Sequence, residues 1–163
     1  MQGVFERLKG VSTVVGYAGG NAQTAHYEIV STGETGHAES VRLTYDPSQI
    51  SFEDILKVFF LVAHDPTELN RQGPDVGSQY RSVIFYTTPE QYNSALAYVE
   101  TLRKQRVFDA PIVTQVVPLR GFYSAEDYHQ HYMDNNPDNP YIVFNDAPKV
   151  ANLQKKFPAL LRS

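Results

Sequence analysis

The stretch from His37 to Ala63, HAESVRLTYDPSQISFEDILKVFFLVA, changes its period halfway along. From His37 to Tyr45 the side chains alternate, as in a strand with one buried face. Asp46-Pro47 ends that strand. Ser51 is a good N-cap, and Ile55, Leu56, Phe59, Phe60 and Val62 then recur on one face of a helix running to about Ala63. A half-buried strand that hands over to an amphipathic helix calls for a fold in which helices cover one side of a sheet.

The flanks extend this reading. Upstream, Gln2 to Leu8 reads as a short helix with Val4, Phe5 and Leu8 on one face, and Gly10 stops it. Val11 to Gly16 is β-branched and reads as a strand. Gly16 to His37 is rich in glycine and small polar residues and reads as a long loop, a common place for function. Downstream, His64 to Gln79 is a second long loop with two prolines and two glycines. Arg81 to Tyr86 reads as a strand. Thr88-Pro89-Glu90 opens a helix to about Lys104, with Tyr92, Leu96, Val99 and Leu102 as its expected core residues. Ile112 to Val117 is a further strand, and Ala125 to Met133 a short helix. After Asn135 the Pro-rich chain predicts a long irregular C-terminal tail, closed by a short helix around Lys149 to Lys156. The order α-β-β-α-β-α-β predicts an α+β sandwich of a mixed β-sheet with helices, in a single domain over residues 1–163.

Composition bounds the function. The 163 residues are 42% hydrophobic and 20% charged, as in a globular domain. The net charge of -4 offers no basic field for nucleic acid or an anionic membrane. No apolar run approaches the roughly 20 residues of a membrane helix. The opening MQGVFERLKG has no apolar core of a signal peptide, so a cytoplasmic location is expected. The chain contains no cysteine. Disulfides, thiolate metal sites and thiol nucleophiles are excluded within these residues.

Most of the unusual polar residues sit in the two loops. Glu39 opens a strand, and Asp75 lies between Arg71-Gln72-Gly73-Pro74 and Gln79-Tyr80-Arg81. A carboxyl close to a second carboxylate, with tyrosines beside it, can hold a raised pKa and serve as an acid. Capping or solvated carboxylates are the plainer reading. His129-Gln130-His131 has the alternation of a metal pair on a strand, but no third ligand stands nearby, so no metal is expected. His37 and His64 read as loop-fixing donors, Arg71 and Arg81 as holders of loop carbonyls, and Tyr17 and Tyr86 as core aromatics. Gly16, Gly19 and Gly20 do not form a nucleotide fingerprint.

A series of segments resembles the peptide methionine sulfoxide reductases of the A type. They are Gly16-Tyr17-Ala18-Gly19-Gly20, Tyr27, Thr35-Gly36-His37-Ala38-Glu39 and Tyr45-Asp46-Pro47. They continue with His64-Asp65-Pro66-Thr67, Asn70-Arg71-Gln72-Gly73, Asp75, Gly77 and Gln79-Tyr80-Arg81-Ser82. Phe122-Tyr123, Ala125-Glu126, His129-Gln130 and Asn145-Asp146-Ala147-Pro148 complete the series in the family's order.

The resemblance implies a ferredoxin-like two-layer sandwich and a defined chemistry. A thiolate attacks the sulfur of methionine sulfoxide in the S configuration, free or in proteins. Glu39 protonates the oxygen, Tyr27 and Tyr80 hydrogen-bond it, and Asp75 shapes the polar side of the site. No cofactor is implied; thioredoxin or a small thiol is the reductant, and a monomer is expected. The family's Gly-Cys-Phe-Trp-Gly signature is missing. In relatives it directly precedes a helix that often reads Met-Gln-Gly-Val-Phe, and Met1-Gln2-Gly3-Val4-Phe5 opens this sequence. The nucleophile, its neighbouring aromatics and a strand are therefore expected upstream of Met1. Without them, these residues alone should not turn over. A cysteine-free protein that binds oxidised methionine peptides is the alternative, and a scaffold kept for interaction alone is the third.

Overall fold

The computed structural model describes all 163 residues. Its elements are α1 (Gln2–Phe5), β1 (Val11–Ala18), α2 (Tyr27–Val30), β2 (Ala38–Tyr45), α3 (Phe52–Val58), β3 (Arg71–Gln72) and β4 (Asp75–Val76). They continue with β5 (Val83–Tyr86), α4 (Pro89–Lys104), β6 (Gln115–Pro118), β7 (Phe122–Ser124), α5 (Tyr132–Asn135) and α6 (Ala147–Lys156). The class is α+β with small sheets, one of them in the order β2-β1-β7. No helix is long and apolar enough to cross a membrane.

The chain divides into two compact units. The first comprises Met1–Gly16, Ser40–His64 and Ser124–Ser163. Its core gathers Val4 and Phe5 of α1, Leu8 just after it, Ile55 and Val58 of α3, Val62 of the turn that follows α3, and Val150 and Leu153 on α6. Helix α3 begins as expected, with a capping box. The Asp54 N–H donates to Ser51 Oγ at 3.0 Å and the Ser51 N–H donates to Asp54 Oδ2 at 3.4 Å. The helix then widens into a π turn over Phe59–Ala63. Gly10 leaves α1 at a φ of 70°, where a side chain would be strained.

The short helix expected around Lys149 to Lys156 is present as α6, but the stretch ahead of it is less irregular than expected. A π turn at Ile142–Asp146 runs directly into α6. Pro148 sits in the first turn of α6, where a missing N–H costs nothing, so it starts the helix rather than breaking it. The last residues are fixed as well. Leu8 bridges Leu161, the Lys9 N–H donates to the Leu160 carbonyl at 2.9 Å, and the Arg162 N–H donates to the Arg7 carbonyl at 3.0 Å. A polar cluster ties α1 to α5: Arg7 reaches Asp134 at 2.8 Å, and the His131 N–H donates to the Gln2 side chain at 2.7 Å.

The second unit comprises Tyr17–Glu39 and Asp65–Tyr123. Here β5 and β6 pair in parallel, Val83 opposite Gln115 and Tyr86 opposite Pro118, with α4 as the crossover. Thr88 caps α4 by accepting from the Gln91 N–H at 3.2 Å. The buried stripe of α4 is narrower than expected. Ala95 and Leu102, two turns apart, are buried, whereas Tyr92 and Leu96 are exposed. The second loop contains the short antiparallel pair β3 and β4, Gln72 opposite Asp75, turned by Gly73 at a φ of 52°.

Candidate active site

Glu39 is the second residue of β2, next to Ala38 and His37, which are both buried. The loop ahead of it is held from several sides. The His37 ring accepts the Gly20 N–H at Nδ1 (3.1 Å) and donates from Nε2 to the Asn21 carbonyl (2.7 Å), so both nitrogens are occupied. A Cβ on Gly20 would run into that ring at 2.6 Å, so the close approach demands glycine. His37 is therefore a pin for this loop, as expected from sequence.

The segment that carries Tyr80 is bolted to the same loop. Gly77, at a φ of 142°, turns the chain from β4 into a short 3-10 helix at Ser78–Tyr80. Ser78 Oγ donates to the Gly33 carbonyl at 2.9 Å, and Gln79 Nε2 donates to the Ser31 carbonyl at 3.2 Å. Arg81 spans the gap, donating from Nη1 to the Ser78 carbonyl at 2.9 Å and from Nη2 to the Gly36 carbonyl at 3.0 Å. These bonds set Tyr80 against Glu39. Asp75 arrives from β4, two residues before Gly77.

The four residues expected at the site come together. Burial, and next the nearby charge of Asp75, push the Glu39 carboxyl up to about 7, against a hydrogen bond from Tyr80 that pulls it down. The Tyr80 hydroxyl is held up at about 12 by burial and then by the charges of Glu39 and Asp75, with Tyr27 also contributing. Glu39 is half-buried and Tyr27 is 38% exposed, so the cluster has a dry acid and an open side for a ligand. Near neutral pH both the protonated and the ionised forms of the acid are accessible. It can donate a proton to a basic oxygen and take it back.

The other sequence candidates do structural work. His64 Nδ1 donates to the Phe59 carbonyl at 2.8 Å, and its ring lies against the Phe59 ring with centroids 4.1 Å apart. His131 Nδ1 lies 2.6 Å from Glu6 Oε2, and His129 Nε2 lies 3.3 Å from Glu126 Oε2. Between them Gln130 grips β1, accepting from the Val15 N–H at 2.9 Å and donating to its carbonyl at 2.9 Å. Arg71 donates to the Gly73 carbonyl at 2.8 Å and pairs with Glu68 at 2.9 Å. Tyr17 is buried, while Tyr86 is half-buried against Tyr92. Gln79 is the positioning residue that the reading of single residues passed over. Its only signal was a polar residue between Gly77 and the two residues Tyr80-Arg81.

Comparison with known proteins gives one consistent answer. The family model described as peptide methionine sulfoxide reductase matches residues 1–160. A peptide methionine sulfoxide reductase of Mesorhizobium japonicum is 54% identical over 161 residues, covering 98% of this chain and 83% of that protein. One from Deinococcus radiodurans is 49% identical over 162 residues, covering 99% of this chain and 78% of its own length. Among solved structures, the reduced form of Mxr1 from Saccharomyces cerevisiae superposes with a TM-score of 0.73 at 34% identity, over 82% of this chain and 74% of that one. Methionine sulfoxide reductase A of Corynebacterium diphtheriae gives a TM-score of 0.70 at 36% identity, over 83% and 69%.

Proposed function

The chain belongs to the peptide methionine sulfoxide reductase family, and from that premise we propose that the Glu39 cluster binds methionine S-sulfoxide, free or in proteins, and protonates its oxygen while a thiol reduces it. The observation that carries this reading is the raised pKa of Glu39, produced by burial and by Asp75. Protonated Glu39 and the hydroxyls of Tyr80 and Tyr27 donate to the sulfoxide oxygen. Asp75 keeps the acid protonated by its charge.

The step balances with a thiol as co-reactant. The thiolate sulfur attacks the sulfoxide sulfur, and the oxygen takes a proton from Glu39. The oxygen passes to the thiol sulfur as its bond to the methionine sulfur breaks, the S–S bond made in the attack breaks with its electron pair going to that sulfur, and methionine leaves beside a sulfenic acid. A second thiol then condenses with the sulfenic acid to a disulfide and water. Two thiols are oxidised and one sulfoxide is reduced. We assign thioredoxin or a small thiol as the reductant, with no bound cofactor, acting on a cytoplasmic monomer of one domain.

The 163 residues contain no cysteine, so the attacking thiol comes from outside them. That same fact favours a second reading, in which these residues bind oxidised methionine without reducing it. The test has two parts. Calorimetry should find binding of a blocked methionine S-sulfoxide, weaker binding of the R epimer, and loss of that preference in Glu39→Gln. Fusing Gly-Cys-Phe-Trp-Gly and a preceding strand ahead of Met1 should create thiol-dependent formation of methionine. Binding with no turnover in the fusion selects the second reading, and equal binding of both epimers and of methionine itself refutes both.

A further inference from the structure

Within the second unit lies a cavity of about 440 Å³ lined by Arg81, Arg120, Gly19, Gly20, Phe85 and Val117, among others. No aspartate or glutamate lines it, although the chain carries 18 acidic residues against 14 basic ones. Two guanidinium groups lining one cavity without a carboxylate repel each other, and an anion between them relieves that repulsion.

Neither arginine is neutralised. The three donors of Arg81 that are engaged go to uncharged acceptors: the Gln115 side chain at 3.2 Å and the Ser78 and Gly36 carbonyls. A guanidinium has five N–H bonds, so two remain. Arg120 is exposed and forms no ion pair. Glycines leave the wall without side chains, and Gly19 could carry none, because its Cβ would stand 2.9 Å from Arg81 Nη2. Phe85 and Val117 add an apolar face for an aliphatic stem.

We propose that this cavity holds a carboxylate side chain of the polypeptide substrate, with Arg120 as its principal cation and Arg81 as a fixed second donor. The location favours a residue flanking the oxidised methionine. Arg81 directly follows Tyr80, and its guanidinium is bonded to Gly36, three residues before Glu39. In that respect the proposal rests on the reading of the Glu39 cluster as the sulfoxide site. The protein would then select oxidised methionines in acidic sequence contexts.

The test compares blocked pentapeptides with a central methionine S-sulfoxide flanked on both sides by two glutamates or by two glutamines, together with the unoxidised glutamate peptide. Affinities are measured by calorimetry for this chain and for Arg120→Gln, an exposed position whose change leaves packing intact. The glutamate peptide should bind this chain about tenfold more tightly than the glutamine peptide, and Arg120→Gln should abolish that difference. Three results overturn the proposal: no difference in the unaltered chain, a difference that persists in Arg120→Gln, or no binding of either glutamate peptide. If oxidised and unoxidised glutamate peptides bind alike while Arg120→Gln removes the acidic preference, the sulfoxide reading fails and the anion site stands.

Discussion

Glu39 holds a proton in the folded chain over a range of pH in which the unfolded chain has released it. Its carboxyl rises from 4.5 to about 7 on folding, so the native state binds more protons between those values. Stability therefore falls as pH rises through that window and levels off above it. Glu39→Gln removes the penalty. Denaturant unfolding should show the variant more stable than the original by on the order of 2 kcal/mol at pH 8 and equal to it at pH 4. Affinity for methionine S-sulfoxide should be level below about pH 7 and fall above it, because only the protonated acid donates. The inflection should move in opposite directions in two variants. Asp75→Asn removes the charge that raises Glu39 and should shift it down. Tyr80→Phe removes the hydrogen bond that lowers Glu39 and should shift it up. Titrations of both variants by calorimetry would show the two shifts or refute this account of the site. Glu39 and Asp75 were each visible in the sequence as loop carboxylates. Their meeting was not, because they come from β2 and β4, far apart in the chain, and only the resemblance grouped them.

The element that makes this chemistry possible is the turn from β4 into Tyr80. Gln79 is only 4% exposed and its amide carries the bond to Ser31. Gln79→Ala should destabilise the protein by about 1–3 kcal/mol, read by denaturant unfolding, and should weaken sulfoxide binding by releasing Tyr80. Gly77→Ala places a Cβ against the Gln79 side chain at a φ that favours glycine, and binding should suffer in the same way. Legibility varied with element length. The strand β2 and helix α3 were plain from their periods and from Ser51. The turn at Tyr27–Val30 and the pair β3 and β4 were hidden inside expected loops, because four or two residues carry no period. On α4 the long side chains Tyr92 and Leu96 suggested a broad buried face. The parallel pair beneath it accepts only the stripe through Ala95 and Leu102.

At the scale of the whole molecule the two units are interleaved along the chain. Five segments alternate between them, so no single cut separates one from the other. Thermal unfolding followed by far-ultraviolet and near-ultraviolet dichroism should therefore give one coincident transition. Leu153→Ala, at a position with no exposure in the core of the first unit, should lower its stability by about 2–5 kcal/mol. The C-terminal region shows why a more irregular tail was expected than was found. The helix around Lys149 to Lys156 was legible, with Val150 and Leu153 on its buried face, but the prolines ahead of it read as breakers, and they hid the π turn at Ile142–Asp146 and the backbone bonds at Leu160 and Arg162 that secure the end. Those bonds have a mechanical meaning. Residues 7–9 and 160–162 form a clasp close to both ends of the chain. A tension applied to the termini loads this clasp, at the margin of the first unit, before it reaches the interior. A trapped molecule stretched by its ends should first give a small rip, as the clasp unzips, and only then the large extension of the interior.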